Sequence, residues 1–99
     1  MEVIVTKEEN VNVVRIIGRL DTTTASVLEK EVSPLFIPGA NVVFDCAELA
    51  YISSSGLRVV LMTHKKLTSI GGTFTMKNVA PTIKSVFDMT GFSSILRFA

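Results

Sequence analysis

The stretch DCAELAYISSSGLRVVLMTHKKL, Asp45 to Leu67, decides how the chain is built. A buried-looking apolar strand empties into three serines, and from Ser55 to Ile70 the residues repeat with helical spacing. Gly71 and Gly72 close that helix, because glycine accepts the left-handed backbone at a helix stop. The serines therefore stand at a strand-to-helix junction. There a hydroxyl can satisfy the free amides of the first helical turn, or it can stand exposed as a chemical site. The local sequence leaves both readings open.

Outward from this junction the pattern alternates. VIV (Val3 to Val5) and VNVVRIIG (Val11 to Gly18) are β-branched runs separated by TKEEN, a spacing that predicts an antiparallel hairpin. From Thr22 to about Phe36, Ala25, Leu28, Val32 and Leu35 recur every three or four residues, with Asp21 or Thr22 placed to cap an amphipathic helix. PGA breaks the chain before NVVF, an apolar run that reads as a strand buried on both faces. TFTM supplies another strand. Pro81 suits a first helical position, Ile83, Val86 and Phe87 form one apolar face, and Gly91 ends a third helix before a last strand, ILRF. Strands alternating with helices predict an α/β domain: a central mixed β-sheet, mixed because of its opening hairpin, packed with amphipathic helices.

With 99 residues, 47% of them hydrophobic, the chain fills one domain, residues 1–99, and no more. A net charge of +1 gives no clustered excess for nucleic acid. The start MEVIVTKEENV lacks the basic flank and long apolar run of a secretion signal, and no stretch approaches a membrane span, so a cytoplasmic protein without membrane contact is expected. Cys46, the single cysteine, reads as a small core-edge residue. His64, the single histidine, falls near Leu57, Val60 and Leu61 and has no carboxylate within a turn, which suits the rim of a core rather than a metal or nucleophile site. No phosphate-binding loop is present, and no cofactor is expected.

Helix geometry sharpens the serine run. With Ser53 as the cap, Ser54 occupies the first helical position with its side chain free, and Gly56 keeps the neighbouring surface low for a partner. At about 100° per residue, Leu57, Val60, Leu61 and Leu67 share one side of the helix. Ser55, Arg58, Lys65 and Ser69 share the other, with Met62 among them, so Met62 is expected to face solvent and serve a contact surface. A hydrolase using Ser54 as nucleophile would need a base, and His64 lies nearly three turns away.

YISSSGLRVV resembles the signature of bacterial anti-sigma-factor antagonists, the STAS-domain family, whose pattern is an apolar pair, Asp or Ser, then Ser-Ser-Gly-Leu. GRLDTTTA is similar to that family's Gly-x-Leu-Asp segment, and FDMTGFSSILRF to its C-terminal helix, glycine and final strand. The resemblance implies a single STAS domain that binds an anti-sigma factor, often a serine kinase, and so frees a sigma factor. It implies phosphorylation of Ser54, the first serine of Ser-Ser-Gly, with a serine phosphatase acting on the modified form. The partner surface is expected on Asp21, Ser53, Ser54, Ser55, Gly56, Arg58 and Met62. Ser53 stands where many members have Asp, and Arg19 where many have Glu. The sequence stops just past the last strand, where the family usually continues into a helix, which would leave apolar surface for a partner or a weak homodimer. The runner-up is a regulatory STAS subunit of a transporter complex, docking through the same helix without phosphorylation.

Overall fold

The computed structural model describes residues Met1–Ala99. Strands β1 (Glu2–Glu8) and β2 (Val11–Leu20) form the antiparallel hairpin, with Glu8 paired to Val11 so that only Glu9 and Asn10 turn the chain. Most of the TKEEN segment is thus strand rather than loop. Helix α1 (Ala25–Val32), β3 (Asn41–Asp45), β4 (Leu49–Ile52), α2 (Ser54–Ser69), β5 (Thr73–Lys77), α3 (Pro81–Thr90) and β6 (Arg97–Phe98) follow.

The sheet runs β1-β2-β3-β5-β6, and every pairing except the first hairpin is parallel. Because the parallel strands are added in one direction, right-handed crossovers carry all three helices to the same face. The burial pattern follows. Val14, Phe44 and Met76 are register partners on the covered face and are fully buried, whereas Val13, Val43 and Thr75 on the other face are only half-buried. This corrects the expectation that NVVF is buried on both faces: no helix reaches its second side. That side carries Arg15, Asp45 and Lys77 as one register row.

The core lies between the sheet and the helices. Leu28 and Val32 of α1, Val60 and Leu67 of α2, and Ile83 and Phe87 of α3 pack on the strands. Phe44 meets Phe74 edge to face at 4.7 Å. Helix α1 is shorter than its apolar spacing predicts. Pro34 has no amide to continue the ladder, so Ser33–Leu35 tighten into a 3-10 turn and Leu35 stays half-buried. Helix α2 ends as expected: Gly71 is left-handed at φ 75, its amide reaches Thr68 O, and Gly72 N reaches Leu67 O at 2.7 Å. Pro81 opens α3 and left-handed Gly91 closes it. The last strand is only Arg97–Phe98, because Phe92–Ser94 coil into a 3-10 turn. No helix is long and apolar enough to cross a membrane.

Strand β2 changes partner along its length. Val11–Arg15 pair with β3, the register shifts between Gly18 and Arg19, and Gly18–Leu20 pair with β4, the short strand that empties into the serines. The fork aims the end of β4 at the start of α2.

Candidate functional site

The serine junction is fixed from beneath. Ile52 is the register partner of Leu20, and the next amide, Ser53 N, donates to Leu20 O at 2.9 Å. Ser53 has extended backbone (φ -97, ψ 176), and its Oγ accepts from Gly56 N at 3.3 Å. It is the cap that the sequence predicts. Ser54 therefore takes the first helical position, exposed, with its hydroxyl in no hydrogen bond within the chain. Ser55 is half-buried, and its Oγ shares a hydrogen bond with Thr22 Oγ1 at 3.3 Å.

Gly56 does not line the surface. It is buried, and a Cβ there would lie 2.8 Å from Ile52 Cγ1, 2.8 Å from Leu20 Cγ and 2.9 Å from Leu20 O. The glycine lets α2 approach the β2–β4 fork closely, which corrects the expectation that it keeps the outer surface low for a partner. Met62 also departs from expectation. It is half-buried and packs at the edge of the core, beside a recess shared with Glu29, Arg58 and Val59. The neighbouring helix α1 covers a flank that an isolated helical wheel leaves open. Leu61, conversely, is only half-buried, and the inner side of α2 is completed by Val59 and by Thr63, whose hydroxyl donates to Val59 O at 2.8 Å.

Asp21 sits beside the junction as the organiser of its own turn. Its Oδ1 accepts from the Thr23 hydroxyl at 2.8 Å, from Thr23 N at 3.1 Å, and from Thr24 N and Thr24 Oγ1 at 3.2 Å each. The Thr23 hydroxyl foremost, with the amides of Thr24 and Thr23, holds the carboxyl below the ordinary aspartate range. Arg19 places its Nε 3.7 Å from Asp21 Oδ2 and its guanidinium 4.1 Å over the Tyr51 ring. The exposed edge of the β2–β4 pairing thus carries a cation stacked on an aromatic. Ser54 itself lines a shallow groove with Leu57, Arg58, Leu61, Thr90 and Phe92.

Several of these features had no sequence signal. The Thr22–Ser55 bridge, the Arg19–Tyr51 stack and the approach of Phe92 join residues far apart in the chain. The turn that Asp21 organises is recognisable in the sequence only through its Gly-x-Leu-Asp motif. His64 is half-buried with its ring 6.5 Å from Phe74, and ten residues of helix, about 15 Å, separate it from Ser54. Cys46 is buried, and desolvation pushes its thiol up to about 12. The junction thus offers an accessible hydroxyl at a helix start, beside a shallow groove, with neither His64 nor Cys46 placed as its base.

The STAS domain model matches residues 2–99, and the chain belongs to the STAS domain family. Its relatives include the anti-sigma-B factor antagonist of Bacillus subtilis, 32% identical over 92 residues that cover 93% of this chain and 84% of that protein. BtrV of Bordetella bronchiseptica is 37% identical over 83 residues, 83% of this chain and 72% of that protein. The Bacillus cell fate determinant SpoIIAA in its phosphorylated form superposes with a TM-score of 0.76 at 23% identity, covering 99% of this chain and 91% of that one. This last likeness is one of fold.

Proposed function

We propose that this protein is an anti-sigma-factor antagonist: it binds an anti-sigma factor through the surface around α2, and phosphorylation of Ser54 switches that binding off. The reading rests on one observation above all: Ser53 does the capping, so the Ser54 hydroxyl is exposed and unengaged. The family's anti-sigma-factor antagonists supply the partner class, and the phosphorylated form of SpoIIAA supports the kind of switch. In the modifying step a serine kinase, the anti-sigma factor itself in this reading, passes the γ-phosphoryl group of ATP to Ser54 Oγ. The bond to ADP breaks, and the hydroxyl proton leaves to a base on the kinase. A serine phosphatase reverses the modification by hydrolysis.

The physics separates fold from binding. A phosphoserine carries about −1.5 to −2 charges, and at the first turn of α2 the free amides and helix dipole favour that charge. The fold survives. Against a partner, the same charge must be desolvated or repelled, and each ~1.4 kcal/mol of that penalty is tenfold in affinity. The test is incubation with candidate serine-kinase anti-sigma factors and ATP, followed by mapping of the phosphate. Transfer to Ser54, lost in Ser54→Ala, with weaker binding of the modified protein is expected. Phosphate only on Ser53 or Ser55 would overturn the assignment, and binding without any transfer would favour the non-phosphorylated regulatory subunit.

A further inference from the structure

Helix α2 carries Arg58, Lys65 and Lys66 and not one aspartate or glutamate. All three cations are exposed, and none takes part in an ion pair; the chain's ion pairs use Arg15, Arg19 and Lys84 instead. Arg58, Leu61, Met62, Lys65 and Ser69 follow one another at three- and four-residue steps along the outer side of the helix. The result is a stripe with two half-buried apolar side chains at its centre and cations at its ends.

Helix stability accounts for part of this charge only. Lys65 and Lys66 lie toward the C-terminus, where cations complement the helix dipole. Arg58 lies in the second turn, where the helix dipole gives a cation no support, and no carboxylate is paired with it. Glu29 of α1 shares its recess without a hydrogen bond to it. Folding has no evident use for Arg58. A chain with ten basic and nine acidic residues has nonetheless left three unpaired cations along one helix face.

We infer that this stripe docks an acidic, amphipathic segment of the partner protein, with apolar side chains over Leu61 and Met62 and carboxylates at Arg58, Lys65 and Lys66. The inference rests on the antagonist reading and specifies the chemistry of its partner. Charge complementarity selects this occupant. The apolar centre distinguishes it from a phosphate backbone, which would reward the cations but leave Leu61 and Met62 unused, and the half-burial of those two side chains leaves little apolar surface to insert into a lipid layer. Arg58 is also one turn from Ser54, within the range of side-chain pairs on a helix. A phosphate on Ser54 competes for Arg58 and repels the arriving carboxylates, so one modification removes an attraction and adds a repulsion.

The test uses the full chain labelled with nitrogen-15 and four probes: a helical peptide with leucines on one face flanked by glutamates, the same peptide with lysines for glutamates, phosphatidylglycerol vesicles, and a DNA duplex. The glutamate peptide is expected to shift the amides of Arg58, Leu61, Met62, Lys65 and Ser69, and to bind about tenfold or more tightly than the lysine peptide at low salt. The double variant R58E/K65E should reverse that preference while keeping the native spectrum elsewhere. Equal affinity for both peptides, shifts on the uncovered sheet face, or binding only to vesicles or DNA would overturn the inference. Failure here with Ser54 still phosphorylated by its kinase leaves the antagonist reading standing; success here without phosphate transfer does the reverse.

Discussion

Replacing Gly56 with alanine tests how the fold sets the serine junction. The added methyl carbon would sit 2.8 Å from Ile52 Cγ1 and from Leu20 Cγ, against a favourable carbon separation of about 3.5–4.0 Å. Neither neighbour has room: Leu20 is fully buried and Ile52 is 6% exposed. The third contact, Leu20 O at 2.9 Å, cannot retreat freely because the same oxygen holds Ser53 N. The start of α2 must therefore lift away from β2 and β4. Overpacking of this kind costs about 1–3 kcal/mol, while alanine recovers up to about 1 kcal/mol of helix propensity over glycine. With all three contacts under 3.0 Å the clash belongs at the upper end of that range, so the expected net loss is about 1–2 kcal/mol, with a fall in Tm of about 4–8 °C per kcal/mol for a domain of this size. Urea unfolding and calorimetry measure it. A Gly56→Ala protein as stable as the parent would refute the close approach of helix to fork.

Ser53→Ala removes the cap and should cost about 1 kcal/mol in urea unfolding, whereas Ser54→Asp should stay within about 0.5 kcal/mol of the parent yet bind the anti-sigma partner more weakly in a titration. Met62→Asp should destabilise the free domain by about 1–2 kcal/mol, because its flank packs at the core edge; a neutral effect would return Met62 to the open surface. Asp45 is held below the ordinary value of 3.8, first by the Asn78 amide and then by Ala47 N, Lys77 and Arg15. A lowered folded pKa means its stabilisation is present above the unfolded value and fades as pH falls through the folded one, so Asp45→Asn should flatten the acid limb of the stability curve below about pH 4. Cys46, with its thiol at about 12, should react with iodoacetamide at pH 8 only as fast as the domain opens, and rapidly in urea.

The secondary structure was legible where local chemistry dominates. Pro81, Gly71 and Gly91 mark helix ends, and Ser53 caps α2 as its position implies. Where tertiary partners decide, the sequence was silent or misleading. NVVF looks buried twice because its residues are apolar, but the one-sided placement of helices is a property of strand order. Met62 looks exposed on a lone helix and is half-covered by α1. Gly56 looks like surface clearance, and its role appears only with Leu20 and Ile52 beneath it. Strand β4 was legible as the apolar approach to the serines, but its pairing with the end of β2 across a register shift was not, because four residues with two exposed at their centre carry no signal of their partner. For the site, the exposed hydroxyl of Ser54 followed from capping logic, whereas the neighbours that frame it, Thr22 bonded to Ser55 and Phe92 in the groove, come from segments distant in sequence.

The two sides of α2 share few residues. Gly56, Leu57, Val59, Val60, Thr63 and Leu67 face inward and hold the helix to the sheet, while Ser54, Arg58, Lys65, Lys66 and Ser69 face out. Substitutions on the outer set leave the packing of the helix on the sheet in place and, on the proposed reading, change which partner the domain attracts. Gene duplication followed by drift on that set would give sister proteins with one scaffold and separate partners. Several such switches could then run side by side in one cell with little crosstalk, each insulated by a handful of side chains.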